Sequence, residues 1–232
     1  MEWLALRIFA CRFAAVVALL PAASLASAAD TIRIMVAGID KQIYLPATLA
    51  QRLGYFTAQG LSVELSSEAS GVHAEDQLLT GAVQAVVGFY DHTISLQAKG
   101  KFVQAVVQFS QAPGEAVLVG SRLADTIRSP ADFRGRTIGV TGLGSSTHLL
   151  TQYLAVANSL KAGEMRFVAV GAGDTFAAAL RQGSIDAGTT SEPTVSRSQQ
   201  PSCRCSIARS VSSAAHSGGE RRGACGGSGT PN

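Results

Sequence analysis

Two rhythms of apolar and polar residues alternate along most of this chain. Thr31–Ala37 (TIRIMVA) alternates and then turns apolar, the pattern of a strand. From Leu45 to Phe56, the residues Leu45, Leu49, Leu53 and Phe56 recur at helical spacing. This predicts a helix with that face inward, although Gly54 sits where it would close. Leu61–Leu65 alternates again, and a helix follows through Leu78 and Leu79 to Gly81. Ala82–Phe89 is an apolar run, read as a buried strand with Tyr90, Asp91, His92 and Thr93 at its carboxyl end. A short helix runs to Gly100. Phe102–Phe109 reads as the next strand, and Ala116–Val119 as another after Gln111-Ala112-Pro113-Gly114.

Ser121–Ser129 is polar and aperiodic, a connector. After Pro130 the alternation restarts. Thr137–Val140 is a short β-branched run, and a helix follows to Leu160 with Leu149, Leu150, Tyr153, Leu154 and Ala157 on one face. Then come a strand over Met165–Val170, a helix over Asp174–Gln182, a strand over Ile185–Thr189, and Glu192-Pro193. Strand-helix alternation of this kind predicts open α/β sheets with helices on both faces. The two runs imply two lobes meeting near residues 120–130, with a cleft suited to a small molecule. Ligands of such sheets bind outside the carboxyl ends of the strands. That selects the loops Ile39–Gln42, Glu68–Gly71 and Phe89–His92, with Gln111 as a fourth candidate.

The segment between Thr137 and Leu150, TIGVTGLGSSTHLL, carries the clearest chemistry. Gly142 and Gly144 turn the chain out of the strand, and Ser145, Ser146 and Thr147 open the helix. N–H groups at a helix start lack intrahelical partners and carry partial positive charge, so an anion fits there. The same residues also serve as an ordinary cap and turn. The segment half-matches the dinucleotide fingerprint, but Thr147 stands where the third glycine belongs.

Composition narrows the classes. The net charge of +3 comes without a basic stripe or interleaved aromatics, which argues against nucleic acid. Arg7 and Arg12, the apolar run Phe13–Leu20, Pro21 and Ala26-Ser27-Ala28 form a cleavable export signal over residues 1–29. Asp30–Pro201 holds no cysteine, so no disulfide framework or thiolate metal site is available there. The remainder, residues 198–232, is rich in Ser, Gly, Arg and Cys, with Ile207 and Val211 as its large aliphatics, and is read as a disordered or frameshifted tail. Cys203, Cys205, His216 and Cys225 could in principle hold a metal, but their surroundings supply no second shell.

Four phrases carry a resemblance. Pro46–Leu65 (PATLAQRLGYFTAQGLSVEL), Leu78–His92 (LLTGAVQAVVGFYDH), Ser129–His148 (SPADFRGRTIGVTGLGSSTH) and Ala179–Arg197 (ALRQGSIDAGTTSEPTVSR) occur in the order seen in one family. Over Ile32–Arg197 the chain resembles the periplasmic solute-binding proteins of ABC importers, in the nitrate/sulfonate/taurine group. The resemblance implies a two-lobed type II periplasmic binding protein: a complete first lobe over residues 30–125 and an incomplete second lobe over 126–197. It implies capture of a small anionic organic solute for a membrane permease and its ATPase, by a periplasmic monomer without cofactor. It places Asp40, Lys41, Gln42, Ser70, Gly71, Gly88, Phe89 and Tyr90 on the first-lobe side of the cleft, beside the strand-end candidate Gln111. It assigns Ser145, Ser146, Thr147 and His148 to the anionic head, and Glu192 to an acidic position before Pro193. Gln84 departs from the family, where an acid is common.

Two other readings stay open. A related family makes the thiamin pyrimidine on this fold, using a cysteine-rich motif absent from Asp30–Pro201. G-x-S-x-G is absent, His73, His92, His148 and His216 lack metal-ligand spacing, and Asp91-His92 would point apart on a strand end. The family continues beyond Arg197, so the chain also reads as a truncated, non-functional fragment.

Overall fold

The computed structural model describes residues 31–161, 163–199 and 205–210, the last group through its backbone. β1 (Thr31–Val36) lies at the centre of a parallel three-stranded sheet, flanked by β2 (Ser62–Ser67) and β3 (Ala85–Val87) in the order β2-β1-β3. A 3-10 turn (Gln42–Tyr44), α1 (Leu45–Arg52) and α2 (Tyr55–Ala58) connect β1 to β2. α3 (Gly71–Leu79) leads to β3, and α4 (Asp91–Ala98) follows it. Met35, Val36, Ala37, Tyr44, Ala74 and Val83 form the core of this lobe.

The second sheet has five strands in the order β6-β5-β7-β4-β8. They are β4 (Glu115–Gly120), β5 (Thr137–Val140), β6 (Arg166–Ala169), β7 (Ala187–Ser191) and β8 (Cys205–Ser210). β5 runs parallel to β6 and β7, whereas β4 is antiparallel to both β7 and β8. α5 (Ser146–Ala157), α6 (Asp174–Gln182) and the short α7 (Thr194–Ser198) cover it. One cluster holds Phe133, Ile138, Leu154 and Ile127, and another holds Leu118, Phe176, Leu180 and Ile185. Fully burying a side chain of this size contributes roughly 1.5–3 kcal/mol. Gly139 and Gly188 let β5 and β7 approach beneath the Phe176 ring: a Cβ on Gly188 would lie 2.7 Å from the Gly139 carbonyl and 2.7 Å from Phe176 Cζ.

Several expectations change. β4 joins the second sheet, so the lobe boundary falls before Glu115 rather than near 120–130. Phe102–Phe109 is not a strand: no neighbour pairs with it among the described residues, and Phe102, Val106 and Val107 are exposed. Residues 99–114 are instead an irregular crossing between the two sheets. The helix predicted over Leu45–Phe56 breaks at Gly54, whose φ of 74° takes the left-handed conformation that glycine adopts without strain. Its expected inner face is turned outward, with Leu45, Leu49 and Leu53 exposed while Ala47 is buried. On α5 the buried side is Thr147, Thr151, Leu154 and Ala155, and Tyr153 and Ala157 are exposed. Cys205–Ser210, assigned to a tail without structure, forms β8, because a strand edge pairs through backbone groups and needs no apolar period. The export signal over residues 1–29 and the Cys203, His216 and Cys225 set lie outside the described residues.

Candidate functional site

β5 ends at Val140, and Thr141–Gly144 turn the chain into α5. Gly142 is held close to the first lobe, since a Cβ there would lie 3.1 Å from Ser70 Oγ. The hydroxyls at this turn bind one another. Thr141 Oγ1 donates to Ser145 Oγ at 3.1 Å, Ser145 Oγ lies 2.8 Å from Thr147 Oγ1, and the Thr141 N–H donates to Thr147 Oγ1 at 2.9 Å. Ser145 Oγ also donates to the Gly142 carbonyl at 2.6 Å. The first intrahelical bond runs from the Leu149 N–H to the Ser145 carbonyl. The N–H groups of Ser146, Thr147 and His148 therefore have no partner within the helix, and the macrodipole adds partial positive charge beside them.

The first lobe answers with acid and imidazole. Asp91 and His92 open α4, and both reach Ser146: Ser146 Oγ donates to Asp91 Oδ1 at 2.8 Å and lies 3.3 Å from His92 Nε2. The expectation that these neighbours point apart fails because they occupy the first turn of a helix rather than a strand end, β3 having stopped at Val87. His92 Nδ1 pairs with buried Glu75 Oε2 at 2.7 Å, which orients the ring. A glycine is required at position 71, where a Cβ would run into His92 Nε2. The Gln42 N–H also bridges the lobes, donating to the Glu192 carbonyl at 3.1 Å.

Between these groups lies a cavity of about 10 Å³, lined by Lys41, Tyr44, Gly71, Phe89, Glu115, Thr141, Ser145, Ser146 and Thr147. That is room for about one water. Burial pushes the Glu115 carboxyl up to about 7, with Lys41 pulling it down and Asp91 adding to the rise. Burial likewise lowers the Lys41 ammonium from its ordinary value, against the pull of Glu115. Tyr44 is raised by burial and by the Glu115 and Asp91 charges, and Lys41 Nζ sits 5.8 Å from its ring centre.

Of the residues singled out from sequence, Lys41, Gly71, Phe89, Ser145, Ser146 and Thr147 come together at this cavity. Ser70 is buried beside it, and its Oγ has no partner. His148 turns away: its Nδ1 accepts from the Gly144 N–H at 2.9 Å, its ring packs edge-on against Phe167, and burial lowers its pKa. Asp40, Gln42, Gly88, Tyr90 and Gln111 are exposed and do not line the cavity. Glu192 is used locally, accepting from the Ser196 N–H and Oγ at 2.9 Å each. Sequence reasoning left Tyr44, Glu115, Thr141 and Glu75 out of the site, and reached Asp91 only as part of the Phe89–His92 loop, without assigning it a binding role. The signal for Glu115 was present, an isolated acid opening the apolar run Ala116–Val119. Among the described residues, no group of three or more His, Cys, Asp or Glu is placed to hold a metal, and no helix is long and apolar enough to cross a membrane.

Two α/β lobes facing each other across a polar cleft define the periplasmic-binding-protein fold, and solved structures agree. A protein from Bordetella bronchiseptica RB50 matches with a TM-score of 0.70 and 37% identity, over 76% of this chain and 55% of that one. The alkanesulfonate-binding protein SsuA from Xanthomonas axonopodis pv. citri, bound to MOPS, matches at 0.62 and 20% identity, over 79% of this chain and 62% of its own. The nitrate-binding protein NrtA from Synechocystis PCC 6803 matches at 0.63 and 15%, over 78% of this chain and 51% of its own. The chain thus spans between half and two thirds of these relatives. No curated protein matches it. The family model described as NMT1/THI5 like matches residues 43–211, and the chain belongs to that family.

Proposed function

We propose that this chain is the substrate-binding component of an ABC import system. It captures a small organic solute with an anionic group in the interlobe cleft and delivers it to a membrane permease and its ATPase. Export by the signal at residues 1–29 places it in the periplasm, where it acts as a monomer and performs no chemical step.

The observation that carries this reading is the start of α5. Its free N–H groups lie at the cavity wall, and the contacts that cover Ser146 come from the other lobe. When the lobes part, Asp91 and His92 withdraw with α4 and the N–H groups are open to a sulfonate, carboxylate or nitrate oxygen. Such a group gains about 0.3–2 kcal/mol from the helix dipole and roughly 1.5–3 kcal/mol from each charge-assisted hydrogen bond. The sulfonate- and nitrate-binding proteins of the same fold support this choice.

The test is a thermal melt of the chain purified from the periplasm, alone and with sulfonates, carboxylates and nitrate. A ligand present at 100 times its dissociation constant stabilises by about 2.7 kcal/mol, several degrees in Tm. A cooperative transition that no member of the panel raises would overturn the reading.

A further inference from the structure

The start of α5 is in contact with an anion of the chain's own. Ser145 and Thr147 engage their hydroxyls within the second lobe, with Thr141, with each other and with the Gly142 carbonyl. Ser146 does not. Its partners both come from α4 of the first lobe: it donates its one hydrogen to Asp91 Oδ1 at 2.8 Å, and His92 Nε2 stands 3.3 Å away. Ser146 is the first residue of α5, is 6% exposed and lines the cavity. The opposite lobe thus brings a carboxylate to the end of a helix where negative charge is favoured, and binds it there by a charge-assisted hydrogen bond.

Asp91 is held there loosely. Its Oδ2 is buried without a hydrogen-bond partner, so one oxygen carries the attachment. An ionised carboxylate can accept about four hydrogen bonds, and this one is poorly served. Its backbone is fixed in the first turn of α4, beside the His92 ring that Glu75 orients, which limits how far the carboxylate can settle over the N–H groups of α5. A free anion has no such tether. It can turn its oxygens to those N–H groups and to Ser70 Oγ, which is buried on the first-lobe side without a partner. We propose that Asp91 is a built-in stand-in for the solute's acid group, closing the lobes over the start of α5 until an incoming anion displaces it. This rests on the solute-capture reading above and adds the regulation of that site. The contact is autoinhibitory, since the apparent affinity for a solute is reduced by the fraction of molecules in which Asp91 holds the seat.

Acetate is the Asp91 side chain cut free, and it serves as the first probe. Wild type and Asp91→Ala, each the full chain purified from the periplasm, are compared by small-angle X-ray scattering and by calorimetry. The variant alone is expected to have the larger radius of gyration. Acetate is expected to bind the variant tenfold or more tightly than wild type, and to return its radius toward the wild-type value. Any sulfonate, carboxylate or nitrate that binds wild type is expected to bind the variant tenfold or more tightly, about 1.4 kcal/mol. Should Asp91→Ala not melt cooperatively, Asp91→Asn, which removes the charge and keeps the shape, provides the same comparison. Equal radii with unchanged or weaker anion binding overturn the proposal and leave solute capture standing wherever the panel still raises the Tm of wild type. Tighter binding at an unchanged radius reduces Asp91 to a neighbouring charge and overturns the displacement. A larger radius without any gain in acetate affinity puts Asp91 outside the seat and overturns the proposal likewise. If every anion is silent with wild type and variant alike, solute capture falls, and the proposal with it.

Discussion

Replacing Glu115 by Gln should change how the stability of the empty protein depends on pH. The side chain lies at the first position of β4, fully buried, and burial pushes its carboxyl from 4.5 up to about 7. Between those values the folded chain holds a proton there that the unfolded chain has released. Stability therefore falls as pH rises through that window. Below it both states are protonated and the contribution is level. Above it the full cost of burying the ionised carboxylate is expressed. At about 1.4 kcal/mol for each pH unit, the displacement amounts to about 3 kcal/mol, a sizeable share of the roughly 5–15 kcal/mol that holds a domain folded. Glutamine keeps the shape of the protonated acid and does not titrate. Urea unfolding followed by circular dichroism, from pH 4.5 to 8, reads the effect. The wild-type curve is expected to decline across the window relative to the variant, and at pH 8 the variant should be the more stable by about 2–3 kcal/mol. Subtracting the two curves removes every other titrating group they share. A difference that stays flat from pH 4.5 to 8 would refute the reasoning, because Glu115 would then be served by a donor or by water.

Three further outcomes are expected. Gly188→Ala forces a Cβ to 2.7 Å from the Gly139 carbonyl and 2.7 Å from Phe176 Cζ, and should cost about 1–3 kcal/mol; an unchanged Tm would show that β5 and β7 are not held by this approach. Gly71→Ala sets a Cβ against His92 Nε2, and moving the ring to relieve it gives up the contact with Ser146, so the variant should lose about 1–3 kcal/mol in urea unfolding; an unchanged midpoint would show that the ring moves without cost. Asp132 accepts from the Arg128 N–H at 3.0 Å, the Ser129 N–H at 2.8 Å and Ser129 Oγ at 3.0 Å, bonds that hold its carboxyl below the usual range. Its contribution is present above the ordinary aspartate value and lost as pH falls through the lowered one. Asp132→Ala should therefore lower stability at pH 7 by urea unfolding, and progressively less in acid.

The sequence displayed most of the elements because their periods are local. β1, β5 and α6 occur close to where the pattern puts them, and Ser145, Ser146 and Thr147 do open a helix at the cleft. What covers a face is not local. The leucines of α1 form a clean helical stripe, yet Leu45, Leu49 and Leu53 face outward, since periodicity marks an apolar side without saying what lies against it. Phe102–Phe109 has the composition of a strand and lacks a neighbour to pair with among the described residues, whereas Cys205–Ser210 lacks the composition and pairs with β4. The acidic half of the site was hidden for a related reason. Asp91, Glu75 and Glu115 lie far apart in sequence, and the antiparallel pairing of β4 with β7 brings Glu115 opposite Ser191 at the cleft.

Among the described residues, one irregular segment, 99–114, carries the chain from the first sheet to the second. Two bodies joined once are equivalent to two binding partners held at a fixed mutual concentration, on the order of millimolar for a short connection. The lobes thus need only millimolar affinity for each other to spend half their time together. The interlobe bonds include Ser146 Oγ to Asp91 Oδ1, its 3.3 Å approach to His92 Nε2, and the Gln42 N–H to the Glu192 carbonyl. Each further contact across the cleft then raises the ratio of closed to open molecules, tenfold for about 1.4 kcal/mol.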